Sequence, residues 1–158
     1  MKHIGLALVL LFQAHATSVL VGTWRLDVAH SVLTGGLDDY RATLEQRLRI
    51  EVRGNDVTVV TTTSGIGSSF APKTTTEQYR LDGITRTEPW GDVFGQKRRR
   101  KADWETDGRR FEIVDEYDFG RVVQRWEVSD DPNTLSIDYV STTGPGLRRY
   151  LVYKRQPS

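Results

Sequence analysis

Residues 97–128 read KRRRKADWETDGRRFEIVDEYDFGRVVQRWEV. Apolar and aromatic residues alternate with charged ones, and the alternation breaks at Asp107-Gly108 and Phe119-Gly120. Alternation over several residues marks a strand with one face on a core. An X-Gly pair between two such runs marks a hairpin turn. The stretch therefore reads as three antiparallel strands. A two-residue turn at Asp107-Gly108 sets Trp104 opposite Phe111, Ala102 opposite Ile113 and Arg100 opposite Asp115 on one face. The other face pairs Arg99 with Glu116 and Lys97 with Asp118. A turn at Phe119-Gly120 then sets Ile113 opposite Trp126 and Asp115 opposite Gln124.

The same signals extend in both directions. Turns are marked by Gly54-Asn55, Asp82-Gly83, Asp131-Pro132-Asn133 and Gly144-Pro145-Gly146. They divide the chain into strands near 20–27, 45–53, 57–63, 75–81, 84–88, 97–105, 110–118, 121–129, 134–141 and 147–155. The turn at 130–133 places Trp126 by Ile137 and Gln124 by Tyr139. The last hairpin pairs Ser141 with Leu147, Tyr139 with Arg149 and Ile137 with Leu151. Hairpin connections favour an all-β, antiparallel up-and-down meander. About eight to ten strands remove their edges by closing into a barrel. Leu37, Tyr40, Leu44 and Leu48 recur at helical spacing after Asp38 and Asp39, so a short helix over 38–44 is expected to lid one end. Residues 64–74 and 89–96 read as loops.

The ends and the composition set further bounds. Lys2, the apolar run Ile4 to Phe12 and Ala14-His15-Ala16 have the order of a secretory signal peptide cleaved after about Ala16. That leaves a single domain over 17–158 in the periplasm or outside the cell. The apolar run is too short to span a bilayer, which needs about 20 residues, and no later run approaches that length. Cleavage removes Lys2, His3 and His15, so the mature charge is balanced and His30 is the sole histidine. The run Lys97 to Lys101 invites a nucleic-acid reading, but Lys97, Arg99 and Arg100 each face an acid in this register, and no nucleic-acid partner is expected. The chain has no Cys, which excludes disulfides, thiolate metal sites and a Cys nucleophile. With one histidine and no Cys, neither a metal nor a cofactor is expected.

The inner face of the barrel carries the functional reading. Trp104, Phe111, Ile113, Trp126, Val128, Leu135, Ile137, Leu151 and Tyr153 form an apolar floor and wall. Leu48, Ile50, Val52, Val57, Val59, Tyr79 and Leu81 complete it from the N-terminal half. One level above runs a polar row of Arg100, Asp115, Gln124, Tyr139 and Arg149, with Trp104, Trp126 and Tyr117 as aromatic neighbours. An arginine inside a small barrel is costly unless paired. Asp115 can pair Arg100, and Arg149 has only Tyr139 and Gln124, so one cation is left at pocket depth. Ligand cavities are mostly apolar with a few placed polar groups. The row is thus a candidate tether for a ligand head group, or else a solvent-wetted salt-bridge network at the barrel mouth.

Gly22-Thr23-Trp24 opens the first strand and Arg155 closes the last. A Gly-x-Trp with an Arg near the end of the final strand resembles the signature of the lipocalin and calycin superfamily. That resemblance implies Arg155 packed over the Trp24 ring at a closed barrel end, a cation–π contact worth about 0.5–2 kcal/mol. Gly22-Thr23-Trp24-Arg25-Leu26-Asp27 with Ser31, Trp104-x-x-Asp107-Gly108, Trp126-x-Val128-Ser129 and Val152-Tyr153-Lys154-Arg155 are similar to motifs of secreted bacterial lipocalin-like proteins. These imply a small barrel and no catalytic set. Trp24-Arg25-Leu26-Asp27-Val28-Ala29-His30-Ser31 also resembles the opening of periplasmic polyisoprenoid-binding barrels.

Three functions fit these features. The first is a secreted or periplasmic binding protein for a small apolar or amphipathic molecule, such as a lipid or isoprenoid. The second is a cofactor-free barrel enzyme of lyase or cyclase type using the same polar row. The third is a cell-envelope interaction domain that presents Phe70, Trp90 and Phe94 on loops. The features do not fix an oligomeric state.

Overall fold

The computed structural model describes residues 19–34, 37–66, 71–90, 96–105, 108–144 and 146–157. The expected leader at 1–16, together with Phe70, Phe94 and Asp107, lies outside them. Ten strands form one antiparallel sheet: β1 (Gly22–Leu26), β2 (Glu45–Arg53), β3 (Asp56–Ser64), β4 (Lys73–Arg80), β5 (Arg86–Pro89), β6 (Lys97–Trp104), β7 (Arg110–Tyr117), β8 (Gly120–Val128), β9 (Thr134–Ser141) and β10 (Leu147–Arg155). The spatial order is β4-β3-β2-β1-β10-β9-β8-β7-β6-β5. All ten expected strands are present, shifted by at most two residues at either end. The meander is interrupted once, where β1 pairs with both β2 and β10 and so joins the two halves.

Side-chain parity places the core. On β8 the buried residues are Val122, Trp126 and Val128, and on β9 Leu135, Ile137 and Ser141. Leu48 and Ile50 of β2, Val57 and Val59 of β3, and Phe111, Ile113 and Asp115 of β7 follow the same rule. Burying each such aliphatic or aromatic side chain contributes roughly 1.5–3 kcal/mol. Trp126 stacks on Phe111 with centroids 5.3 Å apart, and Trp104 meets the other edge of Phe111 at 5.5 Å.

The closed end lies where β1 begins and β10 ends. The Arg155 guanidinium carbon sits 4.1 Å from the centroid of the fully buried Trp24 ring. Arg155 also donates to the carbonyls of Val19, Val21 and Pro132, and Trp24 Nε1 donates to the Leu20 carbonyl at 3.0 Å. Gly22 has φ of 141°, and a Cβ there would stand 2.8 Å from Arg155 Nη1. Glycine admits both the backbone conformation and the guanidinium.

Three hairpin registers agree with the sequence reading: β6–β7, β8–β9 and β9–β10. The fourth, β7–β8, differs. Its turn is Asp118-Phe119, so Tyr117 pairs with Gly120, Ile113 with Gln124 and Asp115 with Val122. The reason is steric. A Cβ on residue 120 would lie 2.8 Å from Thr143 Cγ2 and 3.0 Å from its backbone, in the neighbouring β9–β10 turn. Gly120 serves close packing at the end of the ladder rather than the turn. A shift of two residues preserves parity, so the same side chains still point inward. The expected Lys97–Asp118 pair lies beyond the β6–β7 ladder, which ends at Arg99↔Glu116.

The β1–β2 connection differs from the expected helix over 38–44. It contains two 3₁₀ turns, Val28–His30 and Asp38–Tyr40. Leu37, at the N-cap of the second, offers no capping side chain. From Glu45 the period is two, so Leu48 belongs to β2. The connection still covers the barrel end opposite Trp24: Leu33 and Leu44 are buried, and Leu37 and Tyr40 pack against the core. It is fastened to β10 by Val32 N–H to the Tyr150 carbonyl (2.7 Å) and Thr34 Oγ1 to the Arg148 carbonyl (2.7 Å). No helix among the described residues is long and apolar enough to cross a membrane.

Candidate functional site

The corrected β7–β8 register divides the expected polar row in two. Arg100 and Asp115 pair across β6–β7, and the ladder continues to Val122 and Ser141. Gln124, Tyr139 and Arg149 form a separate row across β8, β9 and β10, at the ladder level of Ile113. Asp115 is therefore not beside Gln124.

The first group is an ionic wall. Arg100 Nε and Nη2 donate to Asp115 Oδ1 and Oδ2 at 2.6 and 2.8 Å, a bidentate pair in which both residues are about 95% buried. Arg100 Nη1 donates to Glu77 Oε2 at 3.1 Å, and Tyr79 lies 4.9 Å beneath the guanidinium. Burial pushes the Arg100 pKa down, but the hydrogen bonds and charge of Asp115 outweigh it, and the net shift is upward. Burial, reinforced by Glu77, raises the Tyr79 phenol above its ordinary value. Arg98 also faces inward, 3.4 Å from Glu88 and 3.5 Å from Glu77. The sequence reading omitted Arg98, Glu77 and Glu88. The parity of Arg98 with Arg100 was the available signal. β4 and β5 share no ladder among the described strands, and these ion pairs tie β4 to β6. Every charge on this wall has a partner.

The second group is open. Arg149 is half-buried, and no carboxylate lies within ion-pair distance among the described residues. Its Nε donates to the Thr34 carbonyl of the β1–β2 connection at 3.3 Å, and its guanidinium carbon is 5.9 Å from the Tyr139 ring centroid. The Tyr139 hydroxyl has no hydrogen-bond partner among the described residues. Gln124 Oε1 accepts from Trp126 Nε1 at 3.3 Å. All three side chains share inward parity with buried neighbours yet are only half-buried, as are Leu151, Gln46 and Thr63. Inward-pointing side chains that water still reaches are where a ligand held within the barrel would meet the protein.

The remaining candidates lie elsewhere. Trp104 is at the closed end, against Phe111. Trp126 is buried in the floor below Gln124. Tyr117 joins a rim cluster, 4.9 Å from Trp90 and 5.3 Å from Phe119. Gly22, Trp24 and Arg155 build the closed end described above. His30 is exposed, with Nδ1 2.8 Å from Asp27 Oδ2, inside the first 3₁₀ turn and away from the interior.

No protein-family model matches the chain, and no curated protein matches it. Solved structures do. A REP1-NXSQ fatty acid transporter superposes with a TM-score of 0.62 at 17% identity, covering 89% of this chain and 98% of that one. Lipid binding protein 8 of Caenorhabditis elegans gives 0.61 at 12% identity, covering 88% and 96%. A Schistosoma mansoni fatty acid binding protein, solved with arachidonic acid, gives 0.59 at 16% identity, covering 90% and 99%. The chain has the fold of the fatty-acid-binding proteins. The calycin-type barrel expected from Gly22, Trp24 and Arg155 is thus present, with fatty-acid-binding proteins rather than lipocalins as the structural neighbours.

Proposed function

We propose that this protein is an exported binding protein for a small apolar or amphipathic molecule, held inside the barrel with its polar end toward Gln124, Tyr139 and Arg149. The observation that carries the reading is Arg149: an inward-facing guanidinium with no carboxylate at ion-pair distance among the described residues, half-buried beside the Tyr139 ring. The fold it shares with fatty-acid-binding proteins supports a ligand of this class. Arg100 and Asp115 are not the tether in this reading, because each already satisfies the other. The same closure removes Asp115 as a free proton shuttle, which takes one of its groups from the enzyme reading. Export rests on the leader-like order of residues 1–16. Cleavage after Ala16 would leave Leu20 and Trp24, which seal the closed end, in place.

The test is native mass spectrometry of the protein purified from its own host, with organic extraction of whatever is bound. A stoichiometric apolar or amphipathic molecule on a chain lacking residues 1–16 is expected. A chain that keeps its leader overturns export. Failure to bind any acyl-chain probe in titration overturns the carrier reading.

A further inference from the structure

On the outside of the barrel, the ladder sets Lys154 of β10 opposite Arg25 of β1, and Arg25 opposite Arg47 of β2. All three side chains are exposed, and they alternate with the buried Tyr153, Trp24 and Leu48. Like charges directly opposite on neighbouring strands destabilise a sheet. Other parts of the outer face match opposite charges: Arg99 meets Glu116, Arg125 meets Glu112, Arg110 meets Glu127 and Arg80 meets Asp56. Where two acids oppose each other, at Asp103 and Glu112, Arg125 answers Glu112 at 2.8 Å. The cationic row is answered once among the described residues, by Glu45 at 3.3 Å from Arg25. Lys154 Nζ donates to the Thr134 hydroxyl at 2.7 Å, and the Arg47 side chain has no partner among the described residues. Three cations therefore stand in line, one strand spacing of about 4.8 Å apart. A local rule broken without compensation marks a functional position.

A groove of about 710 Å³ adjoins the row, between β1, β10 and the β1–β2 connection. Its lining joins Arg25, Arg41 and Lys154 to the carboxylates of Asp27 and Glu45 and the Gln156 amide. The cations suit carboxylates on a ligand, and the carboxylates and amide suit its hydroxyls. No aromatic side chain lines the groove among the described residues.

We propose that Lys154, Arg25 and Arg47, with the adjoining groove, bind an acidic polysaccharide, a chain that carries a carboxylate on each sugar ring. The row crosses the strands, so a linear polyanion laid over it meets one cation per strand. Thr62 and Thr74 continue the row on β3 and β4, where hydroxyl meets hydroxyl. A nucleic acid fits less well. Asp27 and Glu45 repel a densely charged backbone, and the groove offers its bases no ring to stack on. The site lies outside the barrel and neither needs nor excludes a ligand inside it.

The test is calorimetric titration of the purified protein with three short oligomers of equal unit count: an oligogalacturonate, a neutral malto-oligosaccharide and an oligothymidylate. The oligogalacturonate is expected to bind about tenfold or more tightly than the neutral sugar, with an affinity that falls as salt is raised. Arg47→Thr should weaken it about tenfold and at the same time raise the urea midpoint, because the exchange relieves the repulsion with Arg25. A row kept for structure would lose midpoint instead, and that result overturns the proposal. Arg99→Thr removes an outer-face arginine that already has its carboxylate and should leave affinity unchanged. An equal loss there would make the attraction general to the surface and overturn the site. Equal binding of the two sugars, or binding of neither, overturns it as well. Oligothymidylate binding as tightly as oligogalacturonate would assign the face to nucleic acid and overturn the glycan assignment. None of these outcomes bears on the carrier reading, which concerns the interior.

Discussion

Two walls of one barrel interior carry arginines, and they are built on opposite terms. On the β4–β7 wall, Arg98 and Arg100 are answered by Asp115, Glu77 and Glu88, and Arg100 and Asp115 are sealed from water. On the β8–β10 wall, Arg149 meets an aromatic ring and a backbone carbonyl, and water still reaches it. A charge whose valences are filled by its neighbours holds the structure. A charge left without its counter-ion is available to a ligand. The first wall holds carboxylates at ion-pair distance from its arginines, and the second, among the described residues, holds none.

The largest expected difference lies in stability. Asp115→Ala leaves Arg100 buried without its bidentate partner. Removing one member of such a pair costs roughly 3–5 kcal/mol, readable as a lower urea midpoint. Arg149→Ala removes one hydrogen bond near the surface and should cost about 1 kcal/mol. Equal losses would erase the distinction between the walls.

The comparison sharpens if the ionic wall is replaced rather than broken. Arg100→Met with Asp115→Leu together should recover most of the stability lost in Asp115→Ala, because a buried pair contributes little beyond what well-packed apolar groups supply. Acyl-chain binding should survive the double replacement, since the open wall is untouched. A double variant as unstable as the single one would assign this wall more than pairing.

A smaller effect belongs to the closed end. Arg155→Ala removes the contact with Trp24, expected at about 0.5–2 kcal/mol. It should leave ligand affinity unchanged, because Arg155 lies at the end of the barrel away from the open row. Thermal melts and a dodecanoate titration check both halves.

The smallest effect concerns acid. Asp82, in the β4–β5 connection, accepts from Arg86 at 2.6 and 2.8 Å and from the Ile84 amide. These bonds, led by the one from Arg86, hold its carboxyl well below the usual carboxylate range. A depressed folded-state value means that the contribution is fully present above the unfolded value, near pH 4, and is lost as pH falls through the folded one. The melting-temperature gap between wild type and Asp82→Asn should hold from pH 7 to about pH 4 and narrow only below it.

The fold was legible because alternation and turn pairs are local. Ten strands and three of four C-terminal registers follow from residues such as Asp107-Gly108 and Ser141↔Leu147. The β7–β8 register was not legible, because the role of Gly120 depends on Thr143, which approaches only once the β9–β10 turn is folded. The same distance in sequence hid the partners of Arg98 and Arg100. Glu77 lies on a strand that reaches β6 by closing the barrel, not by a hairpin. Arg149 was visible as the cation left over, since its neighbours Tyr139 and Gln124 follow from adjacent hairpins. The two halves of the polar row separate only with the β7–β8 register, which puts Gln124 opposite Ile113 rather than Asp115.

The most direct measurement is a dodecanoate titration of mature wild type, Arg149→Ala and Asp115→Asn, each with its urea midpoint. Arg149→Ala should lose about tenfold or more in affinity with little change in midpoint, as expected for a charge-assisted hydrogen bond. Asp115→Asn should lose midpoint while its folded fraction still binds. The reverse pattern, with affinity lost at Asp115 and unaffected at Arg149, would place the ligand on the closed ionic wall and contradict the division drawn between the two.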